Sequence, residues 1–81
     1  MITMNYPVID VERTGQRLRK LARDNHVTDQ DVAGYLGFTS PRAIYKWYKG
    51  ECLPTIDSLF ALSKLYGVSI DEMIVEVEQS K

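Results

Sequence analysis

Arg42, Tyr45, Lys46 and Lys49 can each donate hydrogen bonds or positive charge, and their spacing decides whether they act together. On a helix, with Arg42 at 0°, Lys46 falls at about 40°, Lys49 at about 340° and Tyr45 at about 300°. Ala43, Ile44, Trp47 and Tyr48 take the opposite side. A helix built this way is anchored by its apolar side and presents three cations and a phenol within roughly a 100° arc. Donors in that arrangement suit the DNA major groove, where guanine O6 and N7 and the flanking phosphates all accept hydrogen bonds. The same cations also solubilise an ordinary exposed helix face, so the decision falls to the surrounding elements.

Other chemistry is poorly provided for. His26 and Cys52 are the side chains suited to soft-metal or nucleophilic work, and they lack the paired spacing of a zinc site. Cys52, beside Leu53 and Pro54, is expected to be a packed small residue. Asp57, Asp71, Glu72, Glu76 and Glu78 fall mostly at helix starts or near the end of the chain, where capping, dipole compensation and solubility account for them. Gly34 and Gly37 follow no strand and make no phosphate-binding loop. No metal, cofactor or catalytic residue is expected, and a constellation of nucleophile, base and stabiliser is missing.

The elements that must position the cationic helix are legible from caps and stops. Val11 to Asn25 reads as a helix, with Val11, Gly15, Leu18, Leu21 and Ala22 on one side and Arg13, Arg17, Arg19, Lys20 and Arg23 on the other. Asp10 caps it and Asn25-His26 stops it. Thr28-Asp29-Gln30-Asp31 is a capping box that opens a second helix carrying Val32, Ala33 and Leu36 inward, closed by Gly37. Ser40 caps a third helix from Pro41 to Lys49, with proline in the first turn and Gly50 at the end. Thr55 caps a fourth helix through Ile56, Leu59, Phe60, Leu62, Ser63 and Tyr66, which Gly67 closes. Ser69-Ile70-Asp71-Glu72 opens a short fifth, with Met73 and Ile74. No strand is required after residue 10, and five helices joined by short connections predict an all-α bundle.

Eighty-one residues suffice for one small domain, and 44% hydrophobic with 26% charged residues matches folded chains. The net charge of −1 conceals an asymmetry: residues 13–49 carry +5, whereas residues 1–12 carry −2 and residues 50–81 carry −4. Basic charge is thus confined to the stretch that holds the first three helices. A single cysteine forms no internal disulfide, which fits a reducing compartment and predicts a cytoplasmic protein. The opening MITMNYPVID has no basic leader, and no run approaches about 18 apolar residues, so neither secretion nor membrane insertion is expected.

Helix, glycine-containing turn and cationic helix form the layout of a helix-turn-helix unit. VTDQDVAGYLGF, SPRAIYKWYKG and LPTIDSLFALSKLYGVSIDEMI, in this order and spacing, resemble the Cro and phage-repressor family of helix-turn-helix domains, often called Xre-like. The resemblance spans about residues 11–75, and no single motif within it would suffice. It implies a compact five-helix bundle of the lambda-repressor-like type and sequence-specific binding of double-stranded DNA, in a prokaryotic or phage regulator. Position by position, it implies base-reading side chains at Pro41, Arg42 and Lys46, with Tyr45 beside them. It places phosphate contacts at Thr39 or Ser40, at Lys49 and at the helix start near Thr28. One cation of the first helix, Arg17, is expected near a phosphate. The chain departs from the family pattern in four places. The turn after Gly37 is a residue longer, with Phe38 the extra one, and Asp29 stands where many members have a phosphate-binding glutamine. Pro41 has no donor, and Glu51 is acidic where relatives are often basic.

The expected organisation is an N-terminal extended arm at 1–9, the DNA-binding domain at 10–75 and a C-terminal tail at 76–81. The arm is apolar enough to pack across the bundle or to pair with another chain as a strand. Met73, Ile74, Val75 and Val77 are expected either to extend the core or to form a subunit contact, and a homodimer through them or through residues 1–9 would let two cationic helices about 34 Å apart read a palindrome. Repression by occluding a promoter is the default mode of such a protein. The rival class is a protein-interaction module, an antitoxin or adaptor of the same fold, using Tyr45, Tyr48 and the acidic C-terminal part; Asp29, Glu51 and the net charge support it.

Overall fold

Four of the five helices begin at a residue whose side chain satisfies one of the free amides of the first turn. The computed structural model describes residues 7–78. Asp10 accepts from the Arg13 amide ahead of α1 (Val11–Asp24), and Thr28 and Asp31 form a reciprocal capping box ahead of α2 (Asp29–Leu36). Thr55 caps α4 (Ile56–Tyr66), and Ser69 with Glu72 forms a second capping box at α5 (Ile70–Met73). Gly37 and Gly50 close α2 and α3 (Arg42–Lys49) at φ of 80° and 79°, a left-handed geometry that a Cβ disfavours. Gly67 closes α4 in the same way, and the stop after α1 is made by Asn25 and by His26 at φ 58°.

The start of α3 departs from expectation. Its N-cap is Pro41, which makes no side-chain cap, and Ser40 Oγ only reaches the Arg42 amide at 3.5 Å. Packing replaces the cap: Pro41 is buried, and Phe38, the extra residue of the turn, sets its ring edge-on to Trp47 at 6.0 Å between centroids. The longer turn thus becomes an aromatic anchor that fixes where α3 begins.

The five helices form an all-α bundle around Leu18, Ala22, Val32, Ala33, Ile44, Trp47, Leu59, Leu62, Tyr66 and Met73. Its tightest approach is α1 against α3. A Cβ on Gly15 would run into the Trp47 carbonyl oxygen and crowd that of Tyr48, so the two backbones touch with nothing between them. A Cβ on Gly50 would stand 2.8 Å from the Glu12 Cα, so the far end of α3 is held against the start of α1 as well. The cationic helix is therefore clamped at both ends and along its apolar side. Exposed Gly34, by contrast, has no atom within 4 Å of where its Cβ would lie. Gly34→Ala is expected to stabilise the fold by about 0.5–1 kcal/mol through helix propensity alone, read as a higher urea midpoint at unchanged m-value.

Burial corrects one expectation and decides another. Cys52 is exposed rather than packed. Met73 is 0% exposed and belongs to the core, so it has no surface to offer a second copy. Ile56 and Phe60 point out of the bundle at 78% and 56% exposure, with the Lys64 ammonium 5.1 Å from the Phe60 ring centre. The described part of the arm pairs with its own chain: the Val77 amide donates to the Val8 carbonyl and the Asp10 amide to the Val75 carbonyl, each at 2.7 Å. Buried Thr14 ties this pair to α1, its hydroxyl accepting from the Val75 amide at 3.0 Å. Residues 1–6 of the arm and 79–81 of the tail lie outside the described residues. No described helix is long and apolar enough to cross a membrane.

Candidate nucleic-acid interface

The outer face of α3 carries the predicted groove residues together. Ile44 and Trp47 are buried, while Arg42, Tyr45, Lys46 and Lys49 are all exposed, Tyr45 at 45%. This is the separation expected from the helical wheel, and it leaves the exposed side chains on a backbone that Gly15, Gly50, Phe38 and Trp47 hold in place. Thr39 and Ser40 are exposed just ahead of Arg42. Pro41 is buried, which removes it from the base-reading positions. At the start of α2, Thr28 is exposed but its hydroxyl is already occupied by the Asp31 amide. The Asp29 and Gln30 amides make no hydrogen bond among the described residues, and as free donors at a helix start they suit an anion.

The cations of the molecule divide by what they already touch. Arg13 lies 3.8 Å from Asp10, Lys20 bonds Asp24 at 3.0 Å, and Arg17 donates to the Glu72 carbonyl at 2.6 Å. Arg17 therefore steadies the end of α5, where a cation is favourable. Arg19, Arg23, Arg42, Lys46 and Lys49 enter no ion pair among the described residues. Arg19 joins the face of α3 at a junction of three helices. It lines a cleft of about 230 Å³ with Asp29, Tyr45, Tyr48 and Lys49, and a neighbouring one with Ala22, Arg23, Val27, Asp29 and Tyr48. Charge alone did not single Arg19 out, because α1 has cations around most of its surface. The available signal was its position one turn after Gly15, on the edge of α1 that α3 approaches.

Tyr48 is half-buried between these elements rather than offered to a partner. Its Oη is buried without a well-formed hydrogen bond, and the Tyr66 hydroxyl lies near enough to couple with it. Burial first, then Tyr66 and Asp29, push the Tyr48 phenol far above its ordinary range, and burial with Asp29 raises Tyr66 to about 12. Both phenols are thus held neutral in the folded chain while those of the unfolded chain ionise at about 10. Stability from this pair is fully present below pH 10 and is lost as pH rises from 10 through 12. The expected result is a urea midpoint that falls across that window, less steeply in Tyr66→Phe than in the parent.

Among the described residues no group of acidic, histidine or cysteine side chains could hold a metal ion. A family model described as helix-turn-helix matches residues 16–73. The HTH-type transcriptional activator BcrR of Enterococcus faecalis is 34% identical over 59 residues, which are 73% of this chain and 28% of that protein. The chain thus spans little more than a quarter of that curated relative. Among solved structures, a transcriptional regulator from Listeria innocua matches at a TM-score of 0.71 and 24% identity, over 84% of this chain and 63% of that one. That likeness shows the fold. The P22 c2 repressor, solved with a synthetic operator, matches at a TM-score of 0.67 and 28% identity, over 74% of this chain and 89% of its own.

Proposed function

The chain belongs to the helix-turn-helix family, in its Cro and phage-repressor branch, and from that premise we propose that it is a transcription regulator that inserts α3 into the major groove of double-stranded DNA. The observation that carries this reading is the rigid α3 face, on which Arg42, Lys46 and Lys49 are exposed together and free of intramolecular ion pairs among the described residues. Arg42 and Lys46 read base edges, with guanine O6 and N7 the best acceptors, and Tyr45 meets a thymine methyl or a phosphate. Thr39, Ser40 and Lys49 hold the backbone, together with the free amides that follow Thr28. The P22 repressor, seen on an operator, has the same fold at a higher identity than the Listeria regulator, and it supports this docking.

The DNA-binding domain is assigned to residues 10–75, with the arm 1–9 and the tail 76–81 flanking it. A homodimer would use the exposed Val8, Ile9 and Val77 of the paired flanks, with Ile74 and Val75 beside them. Occlusion of a promoter needs nothing beyond tight binding, so repression in a prokaryotic or phage cytoplasm is the mode proposed. The reading asks no catalysis of the chain. The second reading, a protein-docking module, draws its support from Ile56 and Phe60, which lie outward on α4. Selection of bound duplexes from a random pool separates the two: a palindromic consensus supports a dimeric sequence reader. Failure to enrich any sequence at low salt favours the protein partner.

A further inference from the structure

Resting on the DNA-binding reading, we propose that Arg19 holds a backbone phosphate of the bound duplex at the junction of α1, α2 and α3. The Asp29 carboxylate at the start of α2 stands beside the free amides of that helix end, where it repels the phosphate those amides would attract. Arg19 shares both junction clefts with Asp29, yet the two make no ion pair within 4.0 Å, so the guanidinium is not consumed by the acid. Arg23 in one cleft and Lys49 in the other add two further cations against that one carboxylate. The junction as a whole therefore favours an anion despite Asp29.

Its position selects which anion. Tyr45 and Lys49 belong to the exposed face of α3 and also line the cleft with Arg19. A duplex that receives α3 in its groove brings the phosphate strand bordering that groove across this cleft. A guanidinium has five donors in a planar fork and, unpaired with Asp29, can meet a phosphodiester through two parallel hydrogen bonds, which an ammonium cannot match in geometry. Arg19 thus fixes the approach of α3 to the groove, while base choice stays with α3.

The test uses the selected operator and a random duplex of equal length, titrated against the full chain across a range of salt concentrations. Arg19→Ala is expected to weaken binding to both duplexes by a similar factor, about five- to tenfold at low salt. It should reduce the slope of log affinity against log salt by about 0.9 for each bound copy and leave the selected consensus unchanged. Arg19→Lys should keep the slope while losing part of the affinity, since it retains the charge without the fork. Unchanged affinity and slope in Arg19→Ala, with the parent still binding its operator, would overturn the assignment and leave the groove reading standing. Absence of any duplex binding by the parent would overturn the DNA-binding reading and this inference with it. Because Arg19 is exposed, an unchanged unfolding midpoint is expected to accompany the loss.

Discussion

Arg42→Ala combined with Lys46→Ala is expected to abolish discrimination between the operator and random DNA while the protein stays folded. Each good base contact discriminates by about 1–3 kcal/mol, so removing two costs about 2–6 kcal/mol per bound copy, a loss of at least about thirtyfold. Both side chains are exposed and enter no ion pair among the described residues, so the unfolding midpoint should move by less than about 0.5 kcal/mol. This separates them from Arg19 and Lys49, whose loss should lower affinity for both duplexes alike. Competition binding with labelled operator against random duplex reads the ratio directly. A double variant that keeps the parental ratio would show that the base-reading surface lies elsewhere.

Gly15→Ala should have the largest effect on the fold. Helix propensity favours alanine by about 1 kcal/mol, and at Gly34 that term acts alone because the added methyl meets empty space. At Gly15 the methyl meets backbone, the carbonyls of Trp47 and Tyr48, and no side chain can turn aside to admit it. The helices must separate, which costs about 3 kcal/mol in a well-packed interface and outweighs the propensity gain. The net loss of about 2 kcal/mol should lower the midpoint of thermal unfolding by about 8–16 °C for a domain of this size. Molecules that remain folded carry α3 displaced from α1, so operator affinity should also drop at temperatures where the variant is still native. The same substitution thus stabilises at one position and disrupts at another, with the sign set by what the methyl touches.

Much of this architecture was legible in the sequence because the helix ends are written locally. Capping boxes at Thr28 and Ser69, caps at Asp10 and Thr55, and glycines at 37, 50 and 67 each act within a few residues, and all occur as expected. The wheel for α3 was likewise sufficient to separate Ile44 and Trp47 from Arg42, Tyr45, Lys46 and Lys49. Periodicity finds the buried stripe of a helix and does not say which neighbour covers each edge of it. That is why the sequence does not tell Arg17, which bonds the Glu72 carbonyl, from Arg19, which lies beside α3. The pairing of Val8 with Val77 joins segments nearly 70 residues apart, beyond the reach of any local pattern. The φ preference of Pro41 gives it a helical place and the family resemblance a groove-facing one, whereas the packing of Phe38 on Trp47 draws the start of α3 inward and buries it. Tyr48 falls on the apolar arc of the wheel, and only the fold brings it beside Tyr66 at the end of α4.

Entry of one face of α3 into the groove can be read by amide chemical-shift mapping of the labelled protein during titration with its selected operator. The predicted result is that the largest shifts fall on Thr39, Ser40 and residues 42–49, with a second group at Asp29 and Gln30 where the free amides of α2 meet a phosphate. Shifts concentrated on Ile56 and Phe60 of α4, with residues 42–49 unmoved, would contradict it.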